Sequence, residues 1–286
     1  MRQKTHRSSL ARRNLQKLFS NRLAILGGVI VLALVLLSIF APLLTPYDPA
    51  FIDPTQRLQP PSAEHLLGTD NAGRDLWARI LYGGRLSITI GLVSSLSAAA
   101  LGVIAGCISG YFGGKVDAVL LYISEIFSTF PQTILILIIV GFAGRSTLNM
   151  VLIFSITGWM GTHRIVRSRI ISLREEAFVE SCVACGIGSS SIMFRHLLPN
   201  TVGPVVVSIT LSTAGYVLSE SGLSFIGLGV PPEVPTWGNI INAAKSLDIM
   251  QNHPALWLAP GVAIALFVLG VNFLGDGLRD VFDTTQ

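Results

Sequence analysis

Residues 23–44 are almost unbroken apolar sequence, interrupted only by Gly27, Gly28, Ser38 and Pro42. About 20 such residues match the hydrocarbon thickness of a bilayer. In lipid every backbone N–H and C=O needs an internal partner, which makes this run a helix. Arg12, Arg13, Lys17 and Arg22 precede it, as in a secretory leader. The apolar part of a leader is only about 7–15 residues, however, so an uncleaved first transmembrane helix is expected.

Five more apolar segments follow: residues 86–110, 116–142 with a kink expected at Pro131, 148 to about 164, 202 to about 223, and 256 to about 274. The expected fold class is an all-α, polytopic membrane protein with six transmembrane helices. Composition agrees: 51% of residues are hydrophobic and 13% charged, against roughly 25% charged in soluble domains. So few charges cannot cover a water-facing exterior. Residues 45–84 are proline-rich and polar and read as an exposed loop. Near the end of that loop Leu76 and Ile80 share a helical face, and Trp77 and Tyr82 suit a membrane interface. A short interfacial helix is expected there. The organisation is thus a cytoplasmic tail (1–22), a first span (23–44), an extracytoplasmic loop (45–83), a five-helix core (84–278) and a cytoplasmic tail (279–286).

Orientation follows from the basic residues. With the N-terminus inside, the inner segments hold Arg2, Lys4, Arg7, Arg12, Arg13, Lys17, Arg22, Lys115, Arg164, Arg167, Arg169, Arg174, Arg195 and Arg279, 14 of the 20 Lys and Arg residues. The positive-inside rule then places both termini in the cytoplasm. It also accounts for the pI near 9.2 without nucleic acid. His163-Arg164 is expected to end the fourth span at the inner face, where Arg can snorkel.

Enzyme chemistry finds no constellation. The five histidines are scattered, and no HExxH or GxSxG pattern occurs. Gly113-Gly114-Lys115 is followed by Val116 and lacks the earlier glycine of a phosphate loop, Ser109 standing there. The chain is therefore not expected to bind ATP or any other cofactor itself. Cys182 and Cys185 lack the second cysteine pair or histidines of a zinc site and read as small packing residues.

Ser94, Ala98, Gly102, Gly106 and Gly110 recur every four residues. Such ladders let helices approach closely in lipid, either for tight packing or for lining a passage. Glu125 and Glu220 fall within expected spans. A carboxylate at mid-membrane costs about 2.5–3.5 kcal/mol on insertion scales, so each is either a passage or gate residue or a buried structural hydrogen-bonding group.

The inner stretch 172–186 reads as a short helix stopped by Gly186 and Gly188, with Ser189 to Ser191 capping a second helix that ends before Pro199. Glu176 and Glu180 lie one turn apart and repel by a few tenths of a kcal/mol. Ala177, Ser181 and Ala184 keep the adjacent surface low. Such a helix suits docking into another protein's groove; equally, it suits a solvated loop.

At this stretch the sequence resembles binding-protein-dependent ABC importer permeases. Their signature is Glu-Ala-Ala, three residues, Gly, nine residues, Ile, one residue, Leu-Pro. Here it stands as Glu180-Ser181-Cys182, Gly186, then His196-Leu197-Leu198-Pro199, every interval preserved. Ser181 and Cys182 replace alanines, and His196 replaces isoleucine as in the peptide and nickel branch. Gly68-Thr69-Asp70, Gly73-Arg74-Asp75, Arg85-Leu86-Ser87, residues 220–229, Pro235-Thr236-Trp237-Gly238 and residues 274–280 are similarly typical. The resemblance implies a permease subunit of the bacterial inner membrane. With a second related permease it would form the passage for peptide-like solutes, glutathione, or nickel and metallophore complexes. Two ATP-binding cassette subunits would carry ATP and magnesium, and an extracytoplasmic solute-binding protein would deliver cargo. It further implies an ATPase-coupling role for Glu176, Ala177, Glu180, Ser181, Cys182, Gly186, His196, Leu198 and Pro199. An ion-coupled secondary transporter is the alternative of a different class.

Overall fold

The computed structural model describes residues 17–282. The basic tail expected through residue 16, and residues 283–286 of the expected C-terminal tail, lie outside the described residues. Within them every regular element is helical; one isolated bridge joins Thr69 and Asp75.

Ten helices carry the architecture: α1 (Arg22–Ile39), α2 (Leu76–Phe112), α3 (Gly114–Thr129), α4 (Gln132–Ala143), α5 (Thr147–Arg174), α6 (Ala177–Ala184), α7 (Val202–Phe225), α8 (Trp237–Ala243), α9 (Leu247–Asn252) and α10 (Ala255–Phe282). By length and apolarity α1, α2, α7 and α10 can each cross a membrane. The expected third span is bent by 88° between α3 and α4. Pro131 sits at that break, where it supplies no N–H and cannot continue the ladder. At about 1.5 Å per residue neither leg alone reaches across a core about 30 Å thick. The expected fourth span lies in α5, which is long enough. Thr157, Thr162, His163, Arg164 and Arg167 make it too polar to qualify by composition. Length and apolarity alone thus single out four spans plus one broken span, and α5, 28 residues long, has the length of the sixth.

Two boundaries also shift. No separate interfacial helix precedes the second span: Leu76, Ile80 and the intervening residues are the first turns of α2, with Leu76 wholly buried. Asp75 caps this helix, accepting from the Ala78 amide at 2.7 Å, and His65 Nδ1 stands 2.8 Å from its other oxygen. The preceding loop is folded back onto α2. Asp70 accepts from Arg74 Nε at 2.8 Å and lies 3.6 Å from the buried Arg79 guanidinium. Gly73, at φ +79°, lies against the Asp53 carbonyl so closely that a Cβ would overlap it. The second shift concerns α5, which continues ten residues past Arg164 to Arg174.

The ladder is a packing device. Added Cβ atoms on Gly102, Gly106 and Gly110 would lie 2.6 Å from the Trp159 carbonyl, 2.7 Å from Val166 Cβ and 2.8 Å from Ile170 Cβ. All three targets are on α5, so the missing side chains let the two backbones meet. On the opposite side α1 packs along α10, Gly27 against Gly270.

Three motifs from distant parts of the chain converge in the core. Ser87 Oγ accepts from the Trp237 amide at 3.1 Å and faces Glu220 Oε2 at 3.4 Å. Ser224 donates to Glu220 Oε1 at 2.7 Å. Trp237, 1% exposed, donates its indole N–H to the Ile80 carbonyl at 3.0 Å.

Candidate functional site

The segment after α5 is a compact helical hook. Alpha-6 is only eight residues long, too short to persist alone in water. Tertiary contacts hold it: Val179 is 3% exposed and packs with Cys107, Val166, Ile170, Ile192, Met193 and Leu197. Full burial of a valine is worth roughly 1.5–3 kcal/mol. Arg174, at the end of α5, donates to the Tyr111 carbonyl of α2 at 3.0 Å. The hook is thereby fastened to both long helices.

Gly186 ends α6 by a specific geometry. Its amide donates to the Val183 carbonyl at 2.9 Å, and the Ile187 amide reaches back to Cys182 at 3.1 Å. This pair of bonds is a Schellman cap, which requires a left-handed residue at the turn. Gly186 has φ +72°, and a Cβ there would meet nothing within 4 Å. Backbone conformation, not space, demands glycine.

The expected serine cap is not formed. Gly188 holds the cap position, no side chain caps, and Ser189–Ser191 form the first turn. The chain then winds as a wide π-type turn, Ile192–Leu197, and closes with a tight turn, Leu198–Asn200. Ile192, Met193 and Leu197 are buried beneath it. Of the signature residues, Glu176, Ala177, Glu180, Ser181, Gly186 and Pro199 are exposed, while Cys182, His196 and Leu198 are half-buried. The outward surface is amphipathic: the carboxylates flank exposed Phe178 and Val183. These two apolar residues were not singled out from sequence; their alternation with Val179 and Cys182 was the available signal.

The two membrane carboxylates separate. Glu220 is 0% exposed and belongs to the Ser87–Ser224 network. Glu125 is exposed on α3. Neither lines the polar cleft between α3, α4, α5 and α7. That cleft, about 580 Å³, lies where the α3–α4 break meets α5 and α7, with Ser128, Gln132, Thr157, Arg164, Tyr216 and Ser219 on its walls. Arg164 donates to Ser128 Oγ at 2.8 Å. The proline break was the sequence signal for it. Arg164 stands ten residues, about 15 Å, from the end of α5 instead of at its end.

A bundle of membrane-length apolar helices that walls a polar cleft and carries a short anchored helix after α5 has the architecture of a multi-pass membrane protein. The chain belongs to the family described as binding-protein-dependent transport system inner membrane component, which matches residues 102–285. Residues 9–61 match the N-terminal TM domain of oligopeptide transport permease C. Similar proteins include the dipeptide transport system permease protein DppC of Alkalihalophilus pseudofirmus, 40% identical over 94% of this chain and 88% of the relative. The oligopeptide transport system permease protein OppC of Bacillus subtilis is 33% identical over 92% and 86%. A chain of the MetNI methionine ABC transporter, solved in inward facing conformations, shares the fold at TM-score 0.57 and 18% identity, over 72% of this chain and 97% of that one. The protein is therefore a multi-pass inner-membrane permease component of an ABC importer that works with a binding protein.

Proposed function

We propose that the chain pairs with a second related permease to form a peptide passage. In this reading the α6 end faces the cytoplasm, where two ATP-binding cassette subunits carry ATP and magnesium. An extracytoplasmic solute-binding protein delivers the cargo, and both termini are cytoplasmic. Peptide cargo is supported by the relatives that are dipeptide and oligopeptide permeases.

The observation that carries the coupling role is the anchored α6. Val179 on its inner face is locked into the core, its end is fixed at Gly186, and Glu176, Phe178, Glu180 and Val183 face outward. A helix held at both ends moves as one body. Force applied to its outer face therefore passes to α5 through Val179 and to α2 through Cys107. The exposed carboxylates suit basic groups on an ATPase groove, and Phe178 and Val183 suit its apolar floor.

The test is ATP-driven uptake by the assembled transporter in membrane vesicles. Gly186→Pro and Glu180→Lys are expected to abolish uptake while the chain still inserts. Crosslinking from Cys185, exposed beside the cap, should capture an ATPase subunit. Normal uptake by both variants removes the coupling role from α6.

A further inference from the structure

The polar cleft carries one cation and no acid. Among the described residues lining it, Arg164 is the only charged side chain. Its one hydrogen bond goes to Ser128 Oγ, and none of the described carboxylates pairs with it. A guanidinium has five N–H donors in a fork that fits a carboxylate two-pronged, so most of that capacity is unused. Around it stand hydroxyls and an amide, with Phe127, Phe130 and Met160 as the apolar part of the wall.

The floor is also kept open without any packing reason. Gly161 and Gly215 face the cleft, and a Cβ on either would meet nothing within 4 Å. Here glycine does not serve close helix approach, as at Gly102 or Gly106; its effect is width. An ionisable side chain within a span normally faces the bundle interior or a water-filled cavity and marks a substrate or ion pathway.

We infer that Arg164 is a specificity-determining contact for the carboxylate of the cargo as it crosses. The inference rests on the reading of this chain as a passage-forming permease. Peptides of any sequence share a terminal carboxylate, and moving it through a low-dielectric cleft demands a compensating charge. Hydroxyls and flat apolar walls accept varied side chains without selecting among them. Arg164 thus recognises the common feature and leaves sequence open.

The test compares ATP-driven uptake of one labelled peptide and its C-terminal amide by the complete transporter. Concentrations are high enough to saturate delivery, so that passage sets the rate. Arg164→Gln should lower maximal uptake of the free acid at least tenfold, and peptide carried per ATP hydrolysed should fall with it. Arg164→Lys should restore most of that loss, and Arg164→Glu should be the most severe. Uptake of the amide, relative to the unaltered transporter, should change less than threefold in Arg164→Gln. Gly215→Leu, which fills the cleft, should slow both peptides alike. Equal losses for acid and amide in Arg164→Gln would overturn the carboxylate contact while leaving the passage standing. Full uptake of both in Gly215→Leu would remove the cleft from the passage, and the inference with it.

Discussion

Arg167 grips Asp117 two-pronged, Nε to Oδ1 at 2.5 Å and Nη2 to Oδ2 at 2.6 Å. Ser109 donates to the same carboxylate, so one acid ties α2, α3 and α5 together where the α2–α3 turn lies beside the lower half of α5. Along α5 this junction lies between Arg164 in the cleft and Arg174 at the helical hook.

Breaking the pair should therefore loosen the protein at a defined place. Removing one partner of a fully buried ion pair costs about 3–5 kcal/mol, and an exposed pair is worth about 0–1. The side chains here are 15% and 26% exposed, so Asp117→Asn should cost about 1–3 kcal/mol. Thermal unfolding of the purified chain in detergent measures it. The double variant Asp117→Asn with Arg167→Met should be no less stable than Asp117→Asn alone, because no orphaned guanidinium remains.

The left-handed backbone at Gly186 yields a graded series. An alanine there costs roughly 1–2 kcal/mol, while asparagine, which tolerates this conformation, costs less. Uptake should fall in the order Gly, Asn, Ala, Pro, with the amount of inserted chain unchanged. Equal uptake by Gly186→Ala and Gly186→Asn would show that the cap geometry is not what transport requires.

Ladder glycines should be intolerant for a different reason. A Cβ on Gly106 would stand 2.7 Å from Val166 Cβ and 2.9 Å from the His163 carbonyl. Overpacking of this kind costs about 1–3 kcal/mol, so Gly106→Ala should lower the melting temperature measurably. Gly222→Ala on α7, where nothing lies within 4 Å, should instead raise stability by about 0.5–1 kcal/mol through helix propensity.

Glu220 should behave as a structural residue. Glu220→Ala leaves Ser224 and Ser87 without their acceptor and should destabilise by about 1–3 kcal/mol, with uptake falling in proportion to the folded fraction. Lost uptake in a chain of undiminished stability would return Glu220 to the passage. Pulse-labelled chain half-life beside uptake separates the two.

What could be read from the residues was whatever lipid imposes locally. A backbone in hydrocarbon must satisfy its own hydrogen bonds within one helix, so residues 23–44 and 256–274 declare themselves without reference to the rest of the chain. The spacing from Glu180 to Pro199 is likewise local, and the turn at Gly186 depends only on its neighbours. Residues 74–82 misled because an apolar face beside interfacial aromatics describes the end of a long helix as well as a short one. Arg164 reads from sequence as a helix end because its polarity, by itself, resembles one.

Tertiary structure decided what depends on residues far apart in sequence. Ser87 and Glu220 are separated by 133 positions, and only their meeting makes the buried acid a hydrogen-bond acceptor within the core. The ladder of Gly102, Gly106 and Gly110 announces close packing but does not say that α5 is its partner. The cleft exists because Pro131 turns the chain through 88° and exposes Arg164 to the space so opened. A side chain's surroundings are set by which helix faces it, and that choice belongs to the packed bundle as a whole.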